Sequence, residues 1–138
     1  MIHDLVFVDT VALIALSSGR DGLHRRSLEL MNGFQELRQP LVTSEWVLTE
    51  YLASASSTRS RQVVIGITDA IRKSSQFTVV EATHASWEAA YVLYRERLDK
   101  AWSHVDCSSI QICERMGVRR VFTKDHHFVQ AGFEILLP

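Results

Sequence analysis

The sequence predicts an α/β domain with a mostly parallel sheet of four to five strands and helices on both faces. Short apolar segments alternate with longer segments of helical periodicity along the whole chain, an order that is typical of βαβ units. Residues 5–8 are continuously apolar, as expected of a strand buried on both faces of a parallel sheet. The length of 138 residues fits one domain that comprises residues 1–138.

The first half of the chain predicts two strands and four helices. The first strand ends at Asp9, and the short helix after it is stopped by Ser17, Ser18 and Gly19. Ser44 is a candidate N-cap for the third helix, because its hydroxyl can accept a hydrogen bond from a free backbone amide. The predicted elements are strands at 5–8 and 41–43 and helices at 10–16, 23–37, 44–54 and 59–73.

The second half predicts up to three more strands. Thr83 is a candidate N-cap for a helix whose apolar side carries Trp87, Ala90, Tyr91 and Tyr94. A glycine after the next helix is a stop signal. The predicted elements are strands at 77–80, 121–123 and 134–137, helices at 83–98 and 105–116, and a short helical turn that stops at Gly132.

Charge and composition exclude several classes of protein. The chain carries 15 Lys and Arg against 16 Asp and Glu, a formal net charge of −1, which predicts no general attraction to nucleic acid or to an anionic membrane. A charged fraction of 22% with 46% hydrophobic residues excludes a disordered tail, a collagen-like fibre and a coiled coil. The longest apolar stretch, residues 5–16, is interrupted by Asp9 and is shorter than the roughly 20 residues that span a bilayer.

The cysteines and the lack of a secretory signal predict a cytoplasmic protein. Cys107 and Cys113 fall in one predicted helix, about 240° apart around its axis and roughly 9 Å apart along it, which is too far for a disulfide. Unpaired thiols suit a reducing compartment. Neither cysteine belongs to a CxxC motif, so zinc is not expected.

Four acids occupy positions that predict a shared site. Asp9 and Asp125 end the first and fourth strands, and ligands bind outside the carboxyl ends of the strands in open parallel sheets. Asp106 lies at the start of a predicted helix. Glu50 falls at the edge of the apolar face of its helix, which points its carboxylate partly inward.

Converging carboxylates repel one another, and a hard divalent cation relieves that repulsion. Oxygen ligands favour Mg²⁺ or Mn²⁺ over zinc, and such ions promote displacement at phosphorus by activating water and stabilising the leaving oxygen. The pattern therefore indicates hydrolysis of a phosphate ester or phosphodiester. Each acid also has an ordinary interpretation: Asp9 and Asp106 as helix caps, Asp125 as a turn residue, and Glu50 as the partner of an arginine.

Ordered motifs surround these acids, and the most specific is a C-terminal block in which an Asp is followed by a helix, a strand and a Thr-x-Asp sequence. The motifs are Val6-Phe7-Val8-Asp9-Thr10, residues 43–50 ending in Glu50, residues 102–108 around Asp106, Glu114-Arg115-Met116-Gly117, residues 121–128 around Asp125, and Ala131-Gly132-Phe133. Over nearly the whole chain, this order and spacing resembles the PIN domain family, in particular its single-domain VapC-like toxins.

The resemblance implies a three-layer α/β/α sandwich and a Mg²⁺- or Mn²⁺-dependent endoribonuclease, the toxin of a type II toxin–antitoxin pair. It implies RNA as the substrate, an antitoxin protein that occludes the site, and a homodimer. Asp9, Glu50, Asp106 and Asp125 carry over as the metal-binding and catalytic acids.

Three hydroxyls beside the acids are candidates for orienting a carboxylate or a metal-bound water: Thr10, Ser108 and Thr123. Local capping or strand pairing is the alternative for each. Capping is the favoured interpretation for Ser108.

Four further residues are candidates for contact with the substrate. Arg20 and Arg25 could follow an RNA backbone through its phosphates. His126, like His127 beside it, could contact a phosphate or donate a proton, and Trp102 could stack on a base. The alternatives are a solvated helix face for the arginines, a surface position for His126 and His127 at a helix start, and a core position for Trp102.

Other functions stay open at this point. The chain could be an RNA-processing nuclease that is not a toxin, a nuclease that cleaves DNA, or a non-catalytic PIN-like module that binds RNA or protein. The presence of all four acids argues against the last of these. A receiver-type phospho-acceptor domain is a weaker rival, because it expects an acidic pair at the end of the first strand, whereas Thr10 follows Asp9.

Overall fold

The structure, a computed structural model, describes residues 4–138 and contains a sheet of five parallel strands. Their order across the sheet is β3-β2-β1-β4-β5, so β1 is central and pairs with β2 on one side and β4 on the other. The predicted α/β fold is confirmed, and every strand pair is parallel. The strands are β1 (Val6–Val8), β2 (Leu41–Ser44), β3 (Phe77–Val80), β4 (Arg120–Phe122) and β5 (Glu134–Ile135).

Helices flank the sheet and connect its strands. All of the helices predicted from the sequence are present within residues 4–138, and their observed ends differ from the predicted ones by one or two residues. They are α1 (Thr10–Ser17), α2 (His24–Glu36), α3 (Glu45–Ala53), α4 (Thr58–Lys73), α5 (His84–Glu96), α6 (His104–Met116) and α7 (His127–Gln130).

Strand β1 lies at the centre of the core, and all three of its residues are inaccessible to solvent. Its neighbours β2 and β4 are almost as deeply buried. Phe34 of α2 packs edge to face on Phe122 of β4, with ring centroids 5.7 Å apart. Burial on both faces explains why the first strand is continuously apolar in the sequence.

Polar caps set the helix boundaries. Ser44 accepts a hydrogen bond from the Val47 amide at 3.1 Å, as predicted for the start of α3. Thr83 and Ser103 open α5 and α6 with reciprocal capping boxes. Gly117 ends α6 in the left-handed conformation, with φ at 69°, which a residue with a Cβ adopts only at a cost.

Helix α5 differs from its prediction. Of the residues assigned to its apolar side, Ala90 is buried, whereas Trp87, Tyr91 and Tyr94 are 40–47% exposed. The helix contacts α6, where Gln111 donates to the backbone carbonyl of Ala89 at 2.9 Å. The three bulky rings lie on the flank of α5, where nothing in residues 4–138 covers them fully.

Two other expectations concern the cysteines and the membrane. Cys107 and Cys113 are both buried and form no disulfide, in agreement with their predicted separation. Across residues 4–138, the helices all fall short of the length and apolarity that crossing a bilayer requires.

Gly117→Ala should destabilise the protein by about 1–2 kcal/mol, because alanine is strained at positive φ. The Cβ that alanine adds would meet no atom within 4 Å, so the backbone alone causes the loss. Gly66→Ala is the matched control. Gly66 lies inside α4 with equally open surroundings, and alanine there should stabilise the protein by about 1 kcal/mol. Urea denaturation measures both, and equal effects of the two substitutions would contradict the assignment of Gly117.

Candidate active site

The candidate site lies where the strand order reverses. The chain crosses from β1 to β2 and β3 on one side of the sheet, and β4 and β5 occupy the other side. The loops after β1 and β4 therefore leave the same edge of the sheet in opposite directions, which creates a crevice at the carboxyl ends of these strands. Asp9 follows β1, and Thr123 and Asp125 follow β4.

Asp9 is the buried member of the site, with only 4% of its surface exposed. It occupies the N-cap position of α1, yet its side chain makes no capping hydrogen bond. Its Oδ2 instead accepts a hydrogen bond from Thr123 Oγ1 at 2.9 Å. The interpretation of Asp9 as an ordinary cap therefore does not account for its side chain.

Burial raises the pKa of Asp9 to about 7 from its ordinary value of 3.8, because a charged carboxylate loses hydration in the interior. Hydrogen bonds from Thr123 and from the Thr10 amide lower the pKa, and the negative charges of Asp106 and Glu50 raise it again. Near neutral pH, Asp9 is thus poised between its neutral and charged forms. A cation placed beside it would favour the charged form.

Thr123 links the two strand ends. Its hydroxyl donates to Asp9 and accepts a hydrogen bond from the Asp125 amide at 3.1 Å. Asp125 in turn accepts, through Oδ1, a hydrogen bond from the His127 amide at 2.9 Å. Of the three hydroxyls predicted to orient the acids, Thr123 contacts a site carboxylate directly.

Asp106 reaches the site from helix α6. Ser103, rather than Asp106, is the N-cap of this helix, and Asp106 is the third helical residue, whose Oδ2 accepts from the Ser103 amide at 2.9 Å. The same Oδ2 lies 3.0 Å from His127 Nδ1. The capping box therefore fixes Asp106 at a helix N-terminus, where the helix dipole also favours a negative charge.

A continuous chain of polar contacts results. It runs from Asp9 through Thr123 to Asp125, and from Asp125 through His127 to Asp106. Three of the four predicted acids, carried by three different segments, thus belong to one network. The structure brings them together although 114 residues separate Asp9 from Thr123.

Glu50 stands apart from this network. Its side chain on α3 is exposed, and the prediction of a partly buried carboxylate was wrong. The turn of α3 that carries Glu50 buries Tyr51 instead, so the apolar face is narrower at this point than the helical wheel suggests. Glu50 is still close enough for its charge to raise the pKa of Asp9.

The donor set fits a divalent cation. One ligand atom from each of Asp106, Asp125 and His127 lies within 4.8 Å of the other two, a spacing that a single bound ion can bridge. Beside Asp9, the buried hydroxyl of Thr10 has no hydrogen-bond partner within residues 4–138, whereas buried polar groups are ordinarily paired. Carboxylates as the majority donors suit Mg²⁺ or Mn²⁺.

Ser108 does not belong to the site. Its hydroxyl donates to the Val105 carbonyl at 2.6 Å within helix α6. A Ser hydroxyl in this position is already satisfied by the preceding turn. The local interpretation of Ser108 is therefore the one that the structure favours.

Three of the four residues predicted to contact the substrate are exposed. Arg20 and His126 are exposed, and Arg20 lines a cavity of about 680 Å³ between α1, α3 and α4. Arg25 is exposed and pairs with Glu29 at 3.5 Å on one face of α2. This position fits the alternative interpretation of a solvated helix face.

Trp102 is buried, with 6% of its surface exposed, and the expectation that it stacks on a base does not fit. Its indole nitrogen donates to Gln130 Oε1 at 3.1 Å, and the Arg97 guanidinium covers its ring at 5.1 Å from the centroid. The ring is therefore already covered by protein groups, as the core alternative predicts.

His127 was considered in the sequence only together with His126, with a surface position favoured for both, whereas the structure places His127 in the site. The sequence has two adjacent histidines after Asp125, and neither has a spacing typical of a metal motif. The apolar residue Phe128, which is fully buried, is the signal that could have distinguished the two histidines. With Phe128 inside, the preceding residue turns towards the crevice, whereas His126 faces solvent.

Solved structures of other proteins share this fold. VapC20 of Mycobacterium tuberculosis, described as a Sarcin-Ricin loop cleaving toxin, aligns with a TM-score of 0.83 and 24% identity over 96% of this chain and 99% of that chain. FitAcB from Neisseria gonorrhoeae aligns with a TM-score of 0.66 and 13% identity over 95% of this chain and 96% of that chain. VapBC2 from Rickettsia felis, in a crystal structure with a fragment of its promoter DNA, aligns with a TM-score of 0.63. Its identity is 13% over 97% of this chain and 99% of that chain.

At these identities the similarities show a shared fold. No curated protein sequence matches the chain. The family model for the PIN domain matches residues 6–134, which include the crevice and every residue of its contact network. The chain therefore belongs to the PIN domain family.

Proposed function

We propose that this protein is an endoribonuclease that hydrolyses RNA phosphodiester bonds with Mg²⁺ or Mn²⁺. The observation that carries the proposal is the contact network that unites Asp9, Asp125 and Asp106 at the carboxyl edge of a PIN domain sheet. A bound divalent cation supplies the Lewis acidity that activates water and stabilises the departing oxygen of a phosphodiester.

The residues of the chain have distinct tasks in this reaction. Asp106 and Asp125, which are 14% and 28% exposed at their side chains, would hold the cation at the solvent side of the crevice. Asp9 supplies a buried carboxylate that Thr123 orients. Glu50, on the surface of α3, adds negative charge at the rim. We expect products with 5′-phosphate and 3′-hydroxyl ends.

We further propose that the protein is the toxin of a toxin–antitoxin pair in the cytoplasm. The fold similarity to VapC20 and VapBC2 supports this proposal, together with the sequence motifs described above. The partner would be an antitoxin protein that covers the crevice, and the assembly a homodimer. The exposed rings of Trp87, Tyr91 and Tyr94 on α5 offer a surface for such an assembly.

Asp9→Asn should abolish RNA cleavage while leaving the fold intact. The amide retains an oxygen that can accept from Thr123, but it cannot become a charged ligand. Incubation of a small-RNA pool with Mg²⁺ or Mn²⁺ measures cleavage, and the discrete fragments made by the wild-type protein should vanish with EDTA and in this variant.

Asp69→Asn is the matched control for that experiment. Asp69 is an exposed acid on α4, so the same chemical change there should leave cleavage unaltered. Retained cleavage by a folded Asp9→Asn protein would refute the assignment. Cleavage of DNA in place of RNA would redirect the proposal to a DNA nuclease.

Expression of the wild-type chain should arrest growth of a host cell, and Asp9→Asn should not. Co-expression of the protein encoded beside it should restore growth if that protein is the antitoxin. Colony counts with and without induction measure both effects. Cleavage in vitro without growth arrest would favour an RNA-processing nuclease that is not a toxin.

Raising the pH should destabilise the metal-free protein through Asp9. The folded state holds the Asp9 proton up to a pKa of about 7, whereas the unfolded chain releases it near the ordinary value of 3.8. The folded state therefore binds more protons between these values, and Asp9 lowers the free energy of unfolding by an amount on the order of a few kcal/mol as pH rises from about 4 to about 7.

Urea denaturation in EDTA at pH 5 and pH 8 measures this dependence. The variant Asp9→Asn lacks the titrating group and keeps the remaining acids and histidines. Its stability should therefore fall less than that of the wild-type protein between the two pH values. Identical pH dependence in both proteins would show that Asp9 ionises normally in the folded state.

A further inference from the structure

One ring nitrogen of His127 contacts two carboxylates at once. Its Nδ1 lies 3.0 Å from Asp106 Oδ2 and 3.2 Å from Asp125 Oδ1. One ring nitrogen carries at most one proton, so these two contacts divide a single donor between two anionic acceptors. A cation among the three atoms would interact favourably with each of them.

The position of this imidazole is fixed by the backbone. The His127 amide donates to Asp125 Oδ1 at 2.9 Å, and the next residue, Phe128, is inaccessible to solvent. His127 therefore points Nδ1 at the carboxylates because helix α7 is anchored on both sides of it. Its side chain is 31% exposed, which leaves Nε2 access to water.

This arrangement permits the imidazole to act as a ligand. With its proton on Nε2, the ring presents the Nδ1 lone pair towards Asp106 and Asp125. Neutral imidazole is a ligand for transition-metal ions, whereas Mg²⁺ prefers oxygen donors and retains its waters. A set of two carboxylates and one imidazole thus shifts selectivity away from Mg²⁺.

We propose that His127 coordinates, through Nδ1, the same divalent cation as Asp106 and Asp125, and that this contact makes the site favour Mn²⁺ over Mg²⁺. The inference rests on the proposed function, since it concerns the cation of that reaction. It assigns His127 a role in selecting the metal, in addition to the four acids that the sequence motifs indicate.

Pulsed electron paramagnetic resonance of the Mn²⁺-loaded protein tests the coordination directly. A directly bound ¹⁴N nucleus should be visible in the wild-type protein and in His126→Ala. The signal should vanish in His127→Ala and in His127→Asn. His126 is the matched control, because it is the adjacent histidine and faces solvent.

Calorimetric titration with Mn²⁺ and with Mg²⁺ tests the selectivity. In His127→Asn the amide oxygen can replace the ring as a hard donor, so Mg²⁺ affinity should change little while Mn²⁺ affinity falls at least about tenfold. Circular dichroism confirms that each variant is folded, which is expected because the ring is partly exposed.

Each outcome decides the inference. A nitrogen signal that persists in His127→Asn, or Mn²⁺ bound to the wild-type protein without any nitrogen signal, overturns it and leaves the proposed function standing. Equal losses of Mn²⁺ and Mg²⁺ affinity would make His127 a positioning residue for the carboxylates. Absence of metal binding by the wild-type protein would overturn the proposed function as well.

Discussion

The hydrogen bond from Thr123 to Asp9 joins the two halves of the sheet at the point where the strand order reverses. The same hydroxyl accepts from the Asp125 amide, so one side chain sets the positions of two carboxylates. Asp125 then positions His127, and His127 contacts Asp106. The geometry of the whole crevice therefore depends on the parallel pairing of β1 with β4 that brings Thr123 to Asp9.

The crevice opposes the ionisation of Asp9, its most deeply buried carboxyl group, whose pKa is raised to about 7. Burial opposes the charge of Asp9, and the charges of Asp106 and Glu50 add to that opposition. Within the described part of the chain, hydrogen bonds from the Thr123 hydroxyl and the Thr10 amide act against this rise in the pKa of Asp9. A carboxyl group held in this way is typical of functional sites, where the surrounding fold maintains an arrangement that the residues alone would not adopt.

The sequence was sufficient for the order of strands and helices and for the two acids at strand ends, because strand apolarity and position in βαβ units are local properties. Exposure was harder to predict. Glu50 and Trp87 were misplaced since a helical wheel gives an angle but not the width of the surface that covers it. His127 was not distinguished from His126, because its contact with Asp106 depends on another helix and on the burial of Phe128.

The central position of β1 has a consequence for biosynthesis. Its two neighbours are made at very different times, since β2 begins at Leu41 and β4 begins at Arg120. A nascent chain that has not yet emerged through Asp125 lacks one wall of the crevice, because Thr123 and Asp125 follow β4, and the three acids of the contact network come together only when nearly the whole chain has been made.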